Sequence, residues 1–108
     1  MAFRATHRFA RISPRKVRPL ADLVRGKFAD EALELLRYQP QRGARLLEKV
    51  IRSALANAED RRAPNINLLV VEDVRIDGGP TMKRMRPHAR GMASVILRRS
   101  SHIHVSLE

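Results

Sequence analysis

The sequence contains no cysteine and no tryptophan, and its aromatic residues are Tyr38 and three phenylalanines, Phe3, Phe9 and Phe28. Without cysteine there is neither a disulfide framework nor a thiolate metal site. So few rings leave no platform on which successive single-stranded bases could stack. Long apolar runs are missing too: the longest, Leu68 to Val71, falls far short of the ~20 residues that a membrane-spanning helix needs. The opening stretch, MAFRATHRFA, has no apolar segment of a secretory signal. An intracellular protein that does not cross a membrane is expected.

Carboxylates are scarce where it matters most. Residues 1–18 hold six basic side chains and no acid, and residues 78–108 hold six against Glu108 alone, whereas residues 19–77 carry ten of each sign. The net charge of +11 therefore sits at the two ends of the chain. Clusters of like charge repel one another unless an anion lies between them, and a sequence pI near 11.6 points to a nucleic acid as that anion. Arginine supplies 18 of the 22 basic residues, which suits bidentate phosphate contacts and stacking on bases.

What the chain does contain is periodicity. A length of 108 residues supports a single domain with one core, burying about 60–70% of the unfolded surface. Phe3 to Arg11 alternates Phe3, Ala5, His7 and Phe9 against Arg4, Thr6 and Arg8, which predicts a strand with one packed and one cationic face. Ser13-Pro14 predicts a helix start with Ser13 as N-cap, and Gly26 a stop; Val17, Leu20, Ala21 and Val24 form its apolar stripe. Pro19 predicts a kink or a later start. Asp30 is expected to cap a second helix running to about Tyr38. A third, Gln41 to about Arg61, carries Leu47, Val50, Ile51, Ala54, Leu55 and Ala58 at helical spacing and is expected to be the core helix, with Arg42, Arg45, Glu48, Lys49 and Arg52 on its solvated face.

Beyond the connection RRAPNIN, Leu68, Val70, Val74 and Ile76 share a face going out, and Val95, Leu97, Ile103, Val105 and Leu107 share a face coming back. This predicts a long β-hairpin. Met82 to Met92, which holds no two-residue Asn-Gly or Asp-Gly turn, is expected to form an open, basic loop at its end. Gly78, Gly79 and Pro80 interrupt the outgoing arm. The fold class is thus α+β: three helices packed on a three-stranded antiparallel sheet, with two strands extended into a projecting hairpin. The body is expected over about residues 1–77 plus the base of the return strand, and the hairpin over about 76–100, all in one domain spanning 1–108.

No acid, base and nucleophile converge in a pattern that would support catalysis. His102 and His104 share a strand face and make half a metal site, but no third ligand stands at a fitting spacing. Neither an enzyme, a metal nor another cofactor is expected. A folded RNA whose crevices admit a cationic finger is the favoured partner; the alternative is an architectural DNA-binding protein with a basic β-ribbon arm.

The segments ISPRKVRPLADLVRGK, SALANAE and GPTMKRMRPHARG followed by ILRRSSHIHV resemble the L twenty-two family of bacterial large-subunit ribosomal proteins, and the likeness runs over nearly the whole chain. It implies a structural, rRNA-binding constituent of the cytoplasmic large subunit that supports RNA folding and assembly. A body on the subunit surface would send its hairpin through 23S-type RNA to line the nascent-peptide exit tunnel. The tunnel-lining positions it implies are Met82, Lys83, Arg84, Met85, Arg86, Pro87, His88, Ala89, Arg90 and Gly91. Charge and resemblance together nominate as RNA-binding Arg4, Arg8, Arg11, Ser13, Arg15, Lys16 and Arg18, then Lys83, Arg84, Arg86, His88 and Arg90, and on the return arm Arg98, Arg99, Ser101 and His102. Neighbouring large-subunit proteins and the nascent polypeptide are the other implied partners, with no membrane and no homo-oligomer. Pro19 departs from an aliphatic position of the family, and Met92 stands where the family often has arginine.

Overall fold

A computed structural model describes residues 2–108. In chain order the elements are β1 (Phe3–Ala10), α1 (Pro14–Val24), α2 (Ala29–Arg37), α3 (Arg42–Asp60), β2 (Val71–Gly78), β3 (Met82–Pro87), β4 (Ala93–Arg98) and β5 (Ser101–Leu107). The α+β class holds. The expected three strands become five, in two separate antiparallel sheets: one of order β1-β5-β2, and a two-stranded ribbon of β3 and β4.

The three helices cover one face of the larger sheet. Ser101, Ile103, Val105 and Leu107 point into that face and are buried, while His102, His104 and Ser106 look the other way and are half-buried. α3 packs on β1 and β5, and α1 on β2. Leu47, Val50, Ile51, Ala54 and Ala58 are buried along α3, as its periodicity requires; truncating Leu47 or Ile51 to alanine would cost about 2–5 kcal/mol. The polar side of α3 is less solvated than expected. Glu48 is only 6% exposed, paired with Arg45 and with Arg52 at 3.5 Å, and Arg45 also donates to the carbonyls of Leu36, Arg37 and Gln39. Arg45 thereby satisfies the orphan carbonyls at the end of α2.

Both edges of the larger sheet are covered by side chains from the helices. Arg25 and Arg18 donate to the Val74 and Ile76 carbonyls of β2, at 2.6 and 3.2 Å, and Asn57 donates to the Arg4 carbonyl of β1 at 2.8 Å. Filling these otherwise free acceptors blunts edges that could pair with another chain.

Several local expectations are corrected. α1 starts at Pro14 and passes through Pro19 without a break, because the exposed ring forfeits only the bond to the Arg15 carbonyl while the flanking Val17, Leu20 and Ala21 stay packed. Ser13 occupies the cap position but makes no side-chain capping bond. Asp30 lies inside the first turn of α2; its cap is Phe28, whose backbone is held against Val70. Gly26, at φ 83°, ends α1 as expected, and its N–H donates to the Val71 carbonyl at 2.8 Å. Leu68 sits exposed in a short 3-10 turn, and Val71 takes the inward place assigned to Val70.

β1 keeps its alternation only as far as His7. Its register with β5 runs from Phe3 opposite Leu107 to His7 opposite Ile103 and then slips, so that Ala10 faces Ser101. Arg8 and Phe9 together oppose His102: a β-bulge, with Phe9 at φ 58°. That left-handed conformation costs an L residue about 1–2 kcal/mol. The bulge turns Phe9 outward and Ala10 inward, which reverses the face expected for Phe9.

The ribbon leaves the body at a joint. The Gly79 N–H donates to the Ser100 carbonyl at 2.9 Å, and the Ser100 hydroxyl donates to the Pro80 carbonyl at 2.7 Å. Continuing the register of the body, where Gly78 faces Ser101, would put Met82 opposite Leu97; it faces Arg98 instead. Val95 and Leu97 stand exposed, because the helices pack on β1, β2 and β5 and leave both faces of the ribbon uncovered. The tip is also more regularly paired than expected. The ladder runs to Pro87 opposite Ala93, leaving only His88 to Met92 as a turn, closed by the His88 N–H donating to the Met92 carbonyl at 2.5 Å. Arg90 and Gly91, at φ 63° and 70°, make that turn. The molecule measures 65 × 24 × 16 Å with a radius of gyration of 16.9 Å, against about 13 Å for a compact chain of this length.

A Cβ at Gly79 would lie 2.5 Å from the Ser100 hydroxyl and 3.3 Å from the Ser100 carbonyl carbon. Gly79→Ala should therefore displace that hydroxyl and lose its bond to Pro80, at a cost of roughly 0.5–1.5 kcal/mol. The expected readout is faster hydrogen exchange of the amide at position 79, whose bond to the Ser100 carbonyl lies at the same joint.

Candidate nucleic-acid interface

Antiparallel pairing of β1 with β5 brings the two basic ends of the chain to one place. The segment after β1 and the first turn of α1 face the base of the ribbon across a concavity of about 1690 Å³. Arg11, Arg15, Lys16 and Arg42 line it from the body, Arg84, Arg98 and Arg99 line it from the arm, and no carboxylate is among its walls. Phe9, Ile12, Pro19, Leu20, Met82 and Leu97 supply the apolar surface between them.

Electrostatics make this arrangement costly until an anion arrives. α1 and α3 both begin at the cleft, and neither has an acidic residue in its first turn or a side-chain cap. The positive ends of their macrodipoles therefore add to the arginines rather than offset them. Two helix starts and seven like-charged side chains surround one concavity, and their mutual repulsion is of the kind a polyanion would relieve.

The nominated residues fall into three groups. Arg11, Ser13, Arg15, Lys16, Arg84, Arg98 and Arg99 meet in the cleft. Arg4 and Arg8 are exposed on β1, and Lys83, Arg86, His88 and Arg90 are exposed along the ribbon, outside the cleft. Arg18 is exposed but has a guanidinium nitrogen on the edge of β2. The remaining two serve the fold. Ser101 is fully buried and donates to the Ile12 carbonyl at 2.5 Å, so the expected RNA contact is corrected: its hydroxyl faces the core. His102 is half-buried, and its Nδ1 accepts the Phe9 N–H at 3.0 Å, which commits that nitrogen to the bulge.

His104 bridges Thr6 at 3.1 Å and Asp77 at 3.2 Å. Among the described residues no group of three potential metal ligands comes together.

The ribbon has two chemically different faces. Cross-strand partners share a face, so Met82, Arg84, Arg86, Ser94, Ile96 and Arg98 lie on one side, and Lys83, Met85, Pro87, Ala93, Val95 and Leu97 on the other. Half of the first is arginine, and the second is apolar but for Lys83. Every residue of β3 is exposed, as is all of β4 except the half-buried Ile96. A two-stranded ribbon with no covered face is marginal in water.

Among the cleft residues that the sequence did not single out, Arg42 and Phe9 matter most for binding. Arg42 had a usable signal: a cation at the start of α3 opposes the macrodipole, as Arg15 and Lys16 do at the start of α1. Its guanidinium donates to the Arg11 carbonyl at 2.9 Å. Phe9 had none, since its exposure follows from the bulge.

The family model described as ribosomal protein L22p/L17e matches residues 5–108. The chain is 62% identical over 110 residues to the large ribosomal subunit protein uL22 of Rhodopirellula baltica, covering 97% of this chain and 92% of the relative. It is 49% identical over 104 residues to the uL22 of Caldicellulosiruptor saccharolyticus, covering 96% and 85%. Against the uL22 of Desulfotalea psychrophila it is 48% identical over 108 residues, covering 100% and 98%.

Seven phosphate contacts in the cleft would give a log–log salt slope of about −5 to −6 for binding a structured RNA transcript, at ~0.7–0.9 per contact. Replacing both Arg98 and Arg99 with glutamine should reduce its magnitude by about 1.4–1.8. Filter binding across a salt series measures both.

Proposed function

The chain belongs to the ribosomal protein L22p/L17e family, and from that premise we propose that it is a non-catalytic structural protein of the cytoplasmic large ribosomal subunit that binds large-subunit RNA and lines the exit tunnel with its ribbon. The observation that carries the RNA reading is the cleft. Six cations from the two ends of the chain converge there with Arg42 of α3 and no carboxylate among them, a wall suited to packed phosphates. Arg11, Arg15, Lys16, Arg42, Arg98 and Arg99 hold the RNA backbone at the base of the arm, with Arg4, Arg8 and Arg18 extending the contact over the body.

The arm carries the reading inward. A ribbon that buries almost none of its own surface must be covered by its partner, and its cationic face fits phosphate while its apolar face fits bases, neighbouring proteins or a passing peptide. Residues 1–108 act as one domain, with the body anchoring the ribbon that carries Met82 to Gly91 to the tunnel wall. Nothing in the structure favours duplex DNA over a folded RNA, and the family membership favours RNA.

Sucrose-gradient fractionation tests the placement. Tagged protein should sediment with large-subunit particles and be released by RNase; sedimentation free of them would overturn the reading.

The tunnel role has its own test. Replacing Lys83, Arg86 and Arg90 with alanine removes only exposed side chains outside the cleft, each within about 0.5 kcal/mol of neutral for folding. Thermal unfolding and incorporation into subunits should persist, while arrest by stalling peptides changes. Unaltered arrest would refute the tunnel assignment.

A further inference from the structure

The cleft contains one aromatic ring, and the backbone is distorted to hold it there. Phe9 is 60% exposed although the alternation of β1 would bury it. It is turned out by the bulge at a φ of 58°, its N–H is fixed by His102 Nδ1, and its ring meets the His102 imidazole edge-to-face, with centroids 5.0 Å apart at 87°. Peptide and imidazole thus restrain the ring from two directions while most of it stays open. Strained backbone of this kind persists where the surrounding structure determines it, and it concentrates at binding sites.

We infer that Phe9 is a stacking site for a single unpaired nucleobase, held against the ring while Arg11, Arg15 and the arm arginines Arg98 and Arg99 engage the flanking phosphates. The inference rests on the RNA-binding reading above and adds to it a position and a ligand: one splayed-out nucleotide rather than a continuous helix backbone. A flat apolar surface bordered by cations is the complement of a nucleotide, which has a flat base and an anionic phosphate. Tyr38, a more exposed ring at 78%, does not offer this, because Glu31 and Glu34 beside it outnumber the one cation there, Lys27, and would repel the phosphate. A lone ring cannot track a single strand, in keeping with the scarcity of aromatics in the chain. It can select one base that leaves its helix.

The test uses the full chain and a large-subunit ribosomal RNA transcript. Phe9→Leu is expected to weaken binding by about 5- to 140-fold with the salt slope unchanged, since the ring carries no charge, whereas Phe9→Trp keeps wild-type affinity. Ultraviolet irradiation of the wild-type complex should leave a nucleotide adduct on Phe9, and this readout decides the matter if Phe9→Leu fails to fold. Wild-type affinity in a folded Phe9→Leu, the result expected if an apolar side chain of a partner protein covers the ring, overturns the inference. So do adducts that all fall elsewhere. Failure of the wild-type protein to bind the transcript would instead overturn the RNA-binding reading itself.

Discussion

Everything in this molecule hangs on β5 being hydrogen-bonded along both edges. Ile103, Val105 and Leu107 pair with β1 on one side and β2 on the other, and the same three residues form the floor on which the helices pack. This one strand ties the first residues of the chain to nearly the last. Without it the two basic segments would be separate tails; with it they become opposite walls of one cleft. The long-range pairing that completes the core also creates the electrostatic problem that a polyanion resolves.

The protein divides its charges by that problem. On the body, acids and bases are matched and the matches serve the fold: Glu48 lies between Arg45 and Arg52, and Arg25 is paired with Asp22 while also covering a strand edge. Around the cleft there is no such matching. No carboxylate stands among its walls, so no acid of the chain competes with a partner for the cations there. Arg18 stands at the boundary, with its backbone on the basic helix start and its tip on β2.

Periodic features were legible in the sequence, and features set by pairing were not. α3 was read to within a residue at each end, and the stripe of α1 was read residue by residue, because each depends only on its own spacing. The face of β1 was misread from Phe9 onward because one extra residue in a strand inverts every position beyond it, and nothing local marks Arg8-Phe9 as a bulge. The alternation of Val95 and Leu97 with Ile103 does not carry burial, because the helices end their cover at the body and leave the ribbon bare on both faces. The four-residue apolar run from Leu68 to Val71 offered two equal alternations, and the structure takes the one that buries Leu69 and Val71. Arg-Gly at positions 90 and 91 did not look like a tight turn, since arginine seldom adopts the left-handed conformation. The charge at each end was plain from composition, but their convergence on one cleft depends on β1 meeting β5.

The ribbon, finally, has no interior. In the body most side chains answer to one another, so a substitution there shows itself first as a change in folding. Between Met82 and Arg98 almost no side chain is buried by the rest of the protein, and most substitutions there leave little trace in the folding of the isolated chain. Selection on this stretch must be exerted by whatever surrounds it. The sequence of the arm is thus better regarded as a cast of its environment than as part of the code for its own fold.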